Sequence, residues 1–169
     1  MNAAGTPIQV VARDTYEYMH QSAELVHAML TEVGFKATNT IFDNPALIQK
    51  YKKKEFSIDS TAYSYRFEPD GWYGRGVLST SPDAKLRTGY KNERADKLIA
   101  EARMTLDKAK RLELYTEVES IINDDCAIIY THAVPLTSAG TKRLKGYTPA
   151  FAGPFSVSGG GIRTAYFEE

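Results

Sequence analysis

The greatest concentration of chemically capable side chains in this 169-residue sequence lies between Tyr63 and Gly76. Two carboxylates, two arginines, several tyrosines and the single tryptophan are crowded there among prolyl and glycyl breakers. Tyr63, Tyr65 and Trp72 offer flat faces with hydroxyl or indole donors, and Arg66 offers a planar fork suited to a carboxylate or phosphate. Glu68 and Asp70 are loop carboxylates close enough in sequence to shift each other's pKa, and so to serve acid–base chemistry. Each also has a plainer reading. Glu68 precedes a proline and must be extended, and Asp70-Gly71 makes a good turn. Tyr63 and Tyr65 flank Ser64 and would share one sheet face, Trp72 would plug its loop against the body of the domain, and Arg66 and Arg75 would form surface ion pairs.

Other chemistries find less support. His20 and His27 share a helix face two turns apart, too far for a common metal, and neither has a glutamate at the spacing of a zinc helix. Cys126 is the only cysteine, which rules out an internal disulfide, and the run Cys126-Ala127-Ile128-Ile129 reads as buried and apolar. A thiol enzyme built on Cys126 and His132, or an acid–base enzyme built on Glu68 and Asp70, is the alternative to a binding role. Gly74-Arg75-Gly76 and Gly159-Gly160-Gly161 match neither the phosphate loop nor the dinucleotide fingerprint, so no cofactor is expected. The run Lys50 to Lys54 complements the end of a helix.

The elements that must hold these residues follow from pattern. Ile8 to Ala12 is strand-like. Met19, Ala23, Val26, Leu30 and Val33 recur at helical spacing over 15–33, with Asp14 or Thr15 as cap and Gly34 as the stop. Phe35 to Phe42 alternates, Asp43-Asn44-Pro45 opens a helix ending at Lys54, and Phe56 to Tyr65 alternates again. This order gives an α/β lobe with parallel neighbours in its sheet. Ala95 to Leu106 and the segment after Asp107 form a helical hairpin. Ala127–Tyr130 and Leu136–Ser138 are strand-like, Lys142 to Gly146 is a basic turn, and Ile162 to Phe167 is one further strand.

Composition sets limits on partners. Twenty-one basic residues balance twenty-one acidic ones, leaving no field to gather nucleic acid or an anionic membrane. No apolar run reaches the roughly 18 residues of a membrane span, and the opening residues MNAAGTPIQV lack the basic and apolar regions of a secretion signal.

Several blocks, in order, carry a resemblance: Ser22 to Ala37, Glu55 to Asp59, Glu68-Pro69-Asp70, Gly89 to Ile99, Ala109 to Tyr115, Ile121 to Ile129 and Leu144 to Tyr147. Together they resemble the C-terminal lobe of the family 5 extracellular solute-binding proteins, the peptide, nickel and opine receptors of ATP-binding-cassette importers. The resemblance implies one lobe of a periplasmic-binding-protein-like fold over 1–146, with a mixed, mainly parallel sheet, flanking helices and the hairpin, and a tail over 147–169 returning toward a first lobe. It implies a non-catalytic, periplasmic or extracellular protein, lipid-anchored or soluble, that closes on a peptide-like or opine-like solute and presents it to a membrane permease. The loop after Tyr65 would face the cleft, making Tyr63, Tyr65, Arg66, Glu68, Asp70 and Trp72 the ligand contacts. Where peptide receptors of this family often carry an aspartate for the ligand's α-amine, this chain has Tyr65, which favours a capped, sugar-containing, opine-like or anionic ligand. An apolar face left uncovered would lead to a homodimer, or to tails exchanged between copies.

Overall fold

The computed structural model describes residues 5–63, 68–133, 135, 137, 139–148 and 162–168. Its sheet has three strands, β1 (Pro7–Arg13), β2 (Lys36–Phe42) and β3 (Ile58–Ser60), in the order β2-β1-β3. Both pairings are parallel, as the alternation of strands and helices requires, with Val10 opposite Asn39 on one side and Ile58 on the other. Helix α1 (Glu17–Glu32) connects the first two strands, and α2 (Asn44–Lys53) leads back toward the third.

The central strand is buried at Val10, Val11 and Ala12, and its side chains alternate between two layers. Val10 and Ala12 meet Ala23 of α1, with Ile8, Val26 and Leu30 packed around them. Val11 faces the other way onto Leu47 and Tyr51 of α2. Removing each such aliphatic side chain from water contributes about 1.5–3 kcal/mol. The two histidines of α1 fasten it to the sheet, His20 through the Arg13 carbonyl at 3.0 Å and His27 through the Ala37 carbonyl at 3.2 Å.

Asp43 caps α2 by accepting from the Ala46 amide, and Gly34 takes the left-handed conformation (φ 96°) that ends α1. Helix α1 begins at Glu17 with Tyr16 at its cap position and no side-chain cap; the amide of Asp14 instead bonds the Phe42 carbonyl.

Beyond the strands, a one-turn helix, α3 (Asp70–Trp72), runs into a π-helical turn, Tyr73–Val77. A short helix, α4 (Pro82–Leu86), and the hairpin of α5 (Glu93–Met104) and α6 (Lys108–Asp124) follow. The hairpin was expected, and Asp107 caps its second arm by accepting from the Lys110 amide at 2.8 Å. The helical turns over 70–77 were not expected in a segment with three glycines. Packing overrides propensity there: Val77 is buried against Ile99, Val118 and Ile122, and Tyr73 stacks on Tyr115 with ring centroids 5.2 Å apart.

Three further expectations are corrected. Of the strand expected over Phe56–Tyr65, the described residues pair only at Ile58–Ser60, with Phe56 turned aside to meet the Tyr51 ring edge-on, and residues 64 and 65 lie outside the described residues. Residues 127–130 pair with no strand. Cys126 is exposed, with φ of 50° just past the end of α6, so it is not the buried apolar residue its neighbours implied. Near the end, β4 (Leu144–Lys145) pairs antiparallel with β5 (Tyr166–Phe167), shorter than the strand expected over 162–167. Leu136 and Ser138, and most of the expected tail between them and β5, residues 149–161, lie outside the described residues.

Candidate functional site

The described residues between β3 and the π turn, Thr61 to Tyr63 and Glu68 to Trp72, are held by three sets of contacts. The first is a cluster around Arg87, which follows α4. Its guanidinium donates to Asp59 of β3 at 2.9 Å and to the Thr61 hydroxyl at 3.2 Å. It also lies 5.0 Å from the Tyr51 ring centroid and 5.4 Å from that of Tyr63. The Tyr51 hydroxyl donates to the same Asp59 oxygen at 2.9 Å, while Asp59 Oδ1 is buried without a partner. Burial therefore pushes the Asp59 carboxyl above the usual range, and Arg87 and Tyr51 offset this only in part.

Below the segment stands the helical hairpin. Arg111 of α6 donates from both terminal nitrogens to the two oxygens of Glu68, at 2.9 and 2.5 Å, and from Nε to the Ala102 carbonyl at 3.0 Å. Arg103 of α5 donates to Asp70 at 2.6 Å. Gly74 makes room for this second pair, since a Cβ there would lie 2.2 Å from Arg103 Nη2 and 2.7 Å from Asp70 Oδ1.

The third element is aromatic. Tyr63 and Trp72 meet edge to face with centroids 4.3 Å apart, and the Trp72 indole donates to the Tyr130 hydroxyl at 2.8 Å. The Trp72 ring closes over Gly76, where a Cβ would stand 2.6 Å from it. Burial raises the pKa of the Tyr63 and Tyr130 hydroxyls, so both stay protonated and uncharged near pH 7.

The structure thus brings Tyr63, Glu68, Asp70 and Trp72 of the expected site into one neighbourhood, with the acids turned to the hairpin and the aromatics to each other. Tyr65 and Arg66 lie outside the described residues. Sequence reasoning missed Arg87, Tyr130, Arg103 and Arg111. The two hairpin arginines carried a faint signal, since they flank the Asp107 cap as a basic pair facing an acidic pair, but nothing in the sequence marks Tyr130.

Two shallow concavities lie elsewhere. One, of about 340 Å³, lies among Tyr51, Lys52, Lys54, Pro82, Lys85 and Leu86, and the other, of about 490 Å³, among residues of β1, β2 and the approach to β3. Of the expected ligand contacts that are described, Tyr63, Glu68, Asp70 and Trp72, none lines either. Among the described residues, no three His, Cys, Asp or Glu side chains are grouped to hold a metal, and no helix is long and apolar enough to cross a membrane.

No family model matches the chain. In sequence it is 26% identical over 131 residues to the di/tripeptide-binding protein 1 of Pseudomonas aeruginosa, a match covering 75% of this chain and 24% of that protein. In structure it superposes on the oligopeptide-binding protein AppA of Bacillus subtilis, solved with a nonapeptide, with a TM-score of 0.71 at 18% identity, over 96% of this chain and 32% of that one. It also superposes on the periplasmic binding protein DppA of Helicobacter pylori, solved with the peptide STSA, with a TM-score of 0.69 at 18% identity, over 98% and 32% of the two chains. The chain thus spans between a quarter and a third of the length of these relatives. The resemblance read in the sequence holds: the chain is similar in sequence to a di/tripeptide-binding protein and has the fold of part of these solved peptide-binding proteins.

Proposed function

We propose that this chain is one wall of a solute trap: a non-catalytic lobe, residues 1–146 with the tail 147–169, that closes with a first lobe over a peptide-like or opine-like solute. The closed form is then presented to the permease of an ATP-binding-cassette importer on the periplasmic or extracellular side. Tyr63 and Trp72 would meet the solute directly, with Tyr65 and Arg66 beside them, and Glu68 and Asp70 would set the position of that surface. The observation that carries this reading is the sequence similarity to a protein named for binding di- and tripeptides. The fold shared with two peptide-bound proteins accords with it.

A ligand shifts an open-to-closed equilibrium only through contacts made in the closed state, and a single wall makes only a share of them. Isothermal titration of the chain with panels of di- and tripeptides and of opines should therefore give weak heats, accompanied by a saturating change in Trp72 emission. Submicromolar binding by the monomer, or catalytic turnover of any member of the panels, would contradict the proposal. The acid–base form of the stand-alone enzyme has less support, because its pair, Glu68 and Asp70, is engaged by arginines.

A further inference from the structure

The residues from Thr61 to Trp72 include only two acids, Glu68 and Asp70, and this follows from the sequence whatever the conformation of 64–67. Both are engaged. Arg111 takes the two oxygens of Glu68 in a forked pair and is itself fixed by the Ala102 carbonyl, while Arg103 takes Asp70. The next carboxylate along the chain, Asp59, is held by Arg87 and Tyr51.

We propose that Arg103 and Arg111 are positioning residues for the segment Glu68–Trp72: by pairing with both carboxylates they leave neither as an uncompensated charge for a ligand ammonium group, so that what the segment offers a solute is the uncharged aromatic face of Trp72. The ligand group recognised here is then an apolar or aromatic moiety. This assignment of ligand class rests on the proposed function; the engagement of the two acids does not.

Physical reasons favour the arrangement over a competing ammonium. A forked guanidinium–carboxylate pair fixes orientation as well as charge, and an incoming ammonium would replace one cation by another while breaking the tie to the hairpin. The pair at Asp70 also sits directly against the backbone at Gly74, where an added Cβ would have to displace the two paired side chains.

Trp72 is the only tryptophan, so all indole emission reports on this segment. Quenching by caesium and by iodide at matched ionic strength, each normalised to free N-acetyltryptophanamide, measures the local charge. With both acids engaged, caesium should quench Trp72 no better than iodide. Arg111→Met and Arg103→Met should each raise the caesium-to-iodide ratio severalfold while the far-ultraviolet circular dichroism of the helices is retained. A caesium preference in the unmodified chain, or an unchanged ratio in both variants, overturns the proposal. Should the arginine variants fail to fold, the unmodified chain alone decides: a normalised caesium-to-iodide ratio no greater than one supports the proposal, and a ratio clearly above one overturns it. These outcomes do not depend on solute binding, so failure here is distinguishable from failure of the peptide titration.

Discussion

Replacing Arg87 by methionine removes the guanidinium bonded to a carboxylate that is 10% exposed, from a site where the arginine itself is 15% exposed, and leaves Arg13 as a weaker cationic influence among the described residues. Asp59 would keep a single donor, the Tyr51 hydroxyl, with its Oδ1 still unpaired. Breaking a buried pair from one side costs about 3–5 kcal/mol, and loss of the guanidinium from the faces of Tyr51 and Tyr63 adds roughly 0.5–1 kcal/mol. The loss has a definite pH dependence. Because burial already raises the Asp59 pKa, the folded state holds that proton more tightly than the unfolded chain does. Stability from this group is therefore greatest below the unfolded-state value and declines as pH rises through the folded one. Arg87→Met raises the folded value further, so its penalty should be largest at neutral pH and shrink on acidification, as Asp59 becomes neutral. Urea unfolding followed by circular dichroism at pH 7 and near pH 4 measures both values. A penalty under about 1 kcal/mol at pH 7, or one that does not shrink in acid, would refute the reasoning.

Other substitutions probe the remaining supports. Ile99→Ala, at a fully buried position where the hairpin meets the π turn, should cost about 2–5 kcal/mol in the same unfolding assay. Gly76→Ala places a methyl group against the Trp72 ring, whose far edge can swing away, so it should shift Trp72 emission while lowering stability by less than the Ile99 change does. Lys54→Met removes an ammonium that bonds the carbonyls of Lys85 and Leu86, each at 2.7 Å, at the end of α4; because the site is exposed, a loss of about 1 kcal/mol in thermal unfolding is expected.

The sheet and the hairpin were legible in the sequence because their signals are local. Val10 and Val11 point to opposite layers of a strand buried on both faces, Asp43-Asn44-Pro45 and Asp107 are caps with their own chemistry, and Gly34 has the left-handed φ its position implied. The helical turns over 70–77 were not legible, because Gly74 and Gly76 read as loop residues until the approach of Arg103 and the Trp72 ring explains them. Lys54 looked like one of several solvated lysines, yet its ammonium reaches more than thirty residues along the chain to the end of α4. At the candidate site, the residue types were legible and the partnerships were not. Glu68 and Asp70 are committed by arginines forty-three and thirty-three residues away, and Trp72 by a tyrosine fifty-eight away, separations over which one sequence carries no register.

The central claim, one wall of a two-walled solute trap, is tested most directly by supplying the other wall. The chain can be grafted in place of the matching stretch of the Pseudomonas aeruginosa di/tripeptide-binding protein, and the folded chimera titrated with di- and tripeptides and opines while Trp72 emission is followed. The account predicts that binding, at most weak in the isolated chain, becomes tight and saturable in the chimera and is lost with Trp72→Ala. A folded chimera that binds no member of the panels, or binds no better than the chain alone, would contradict it.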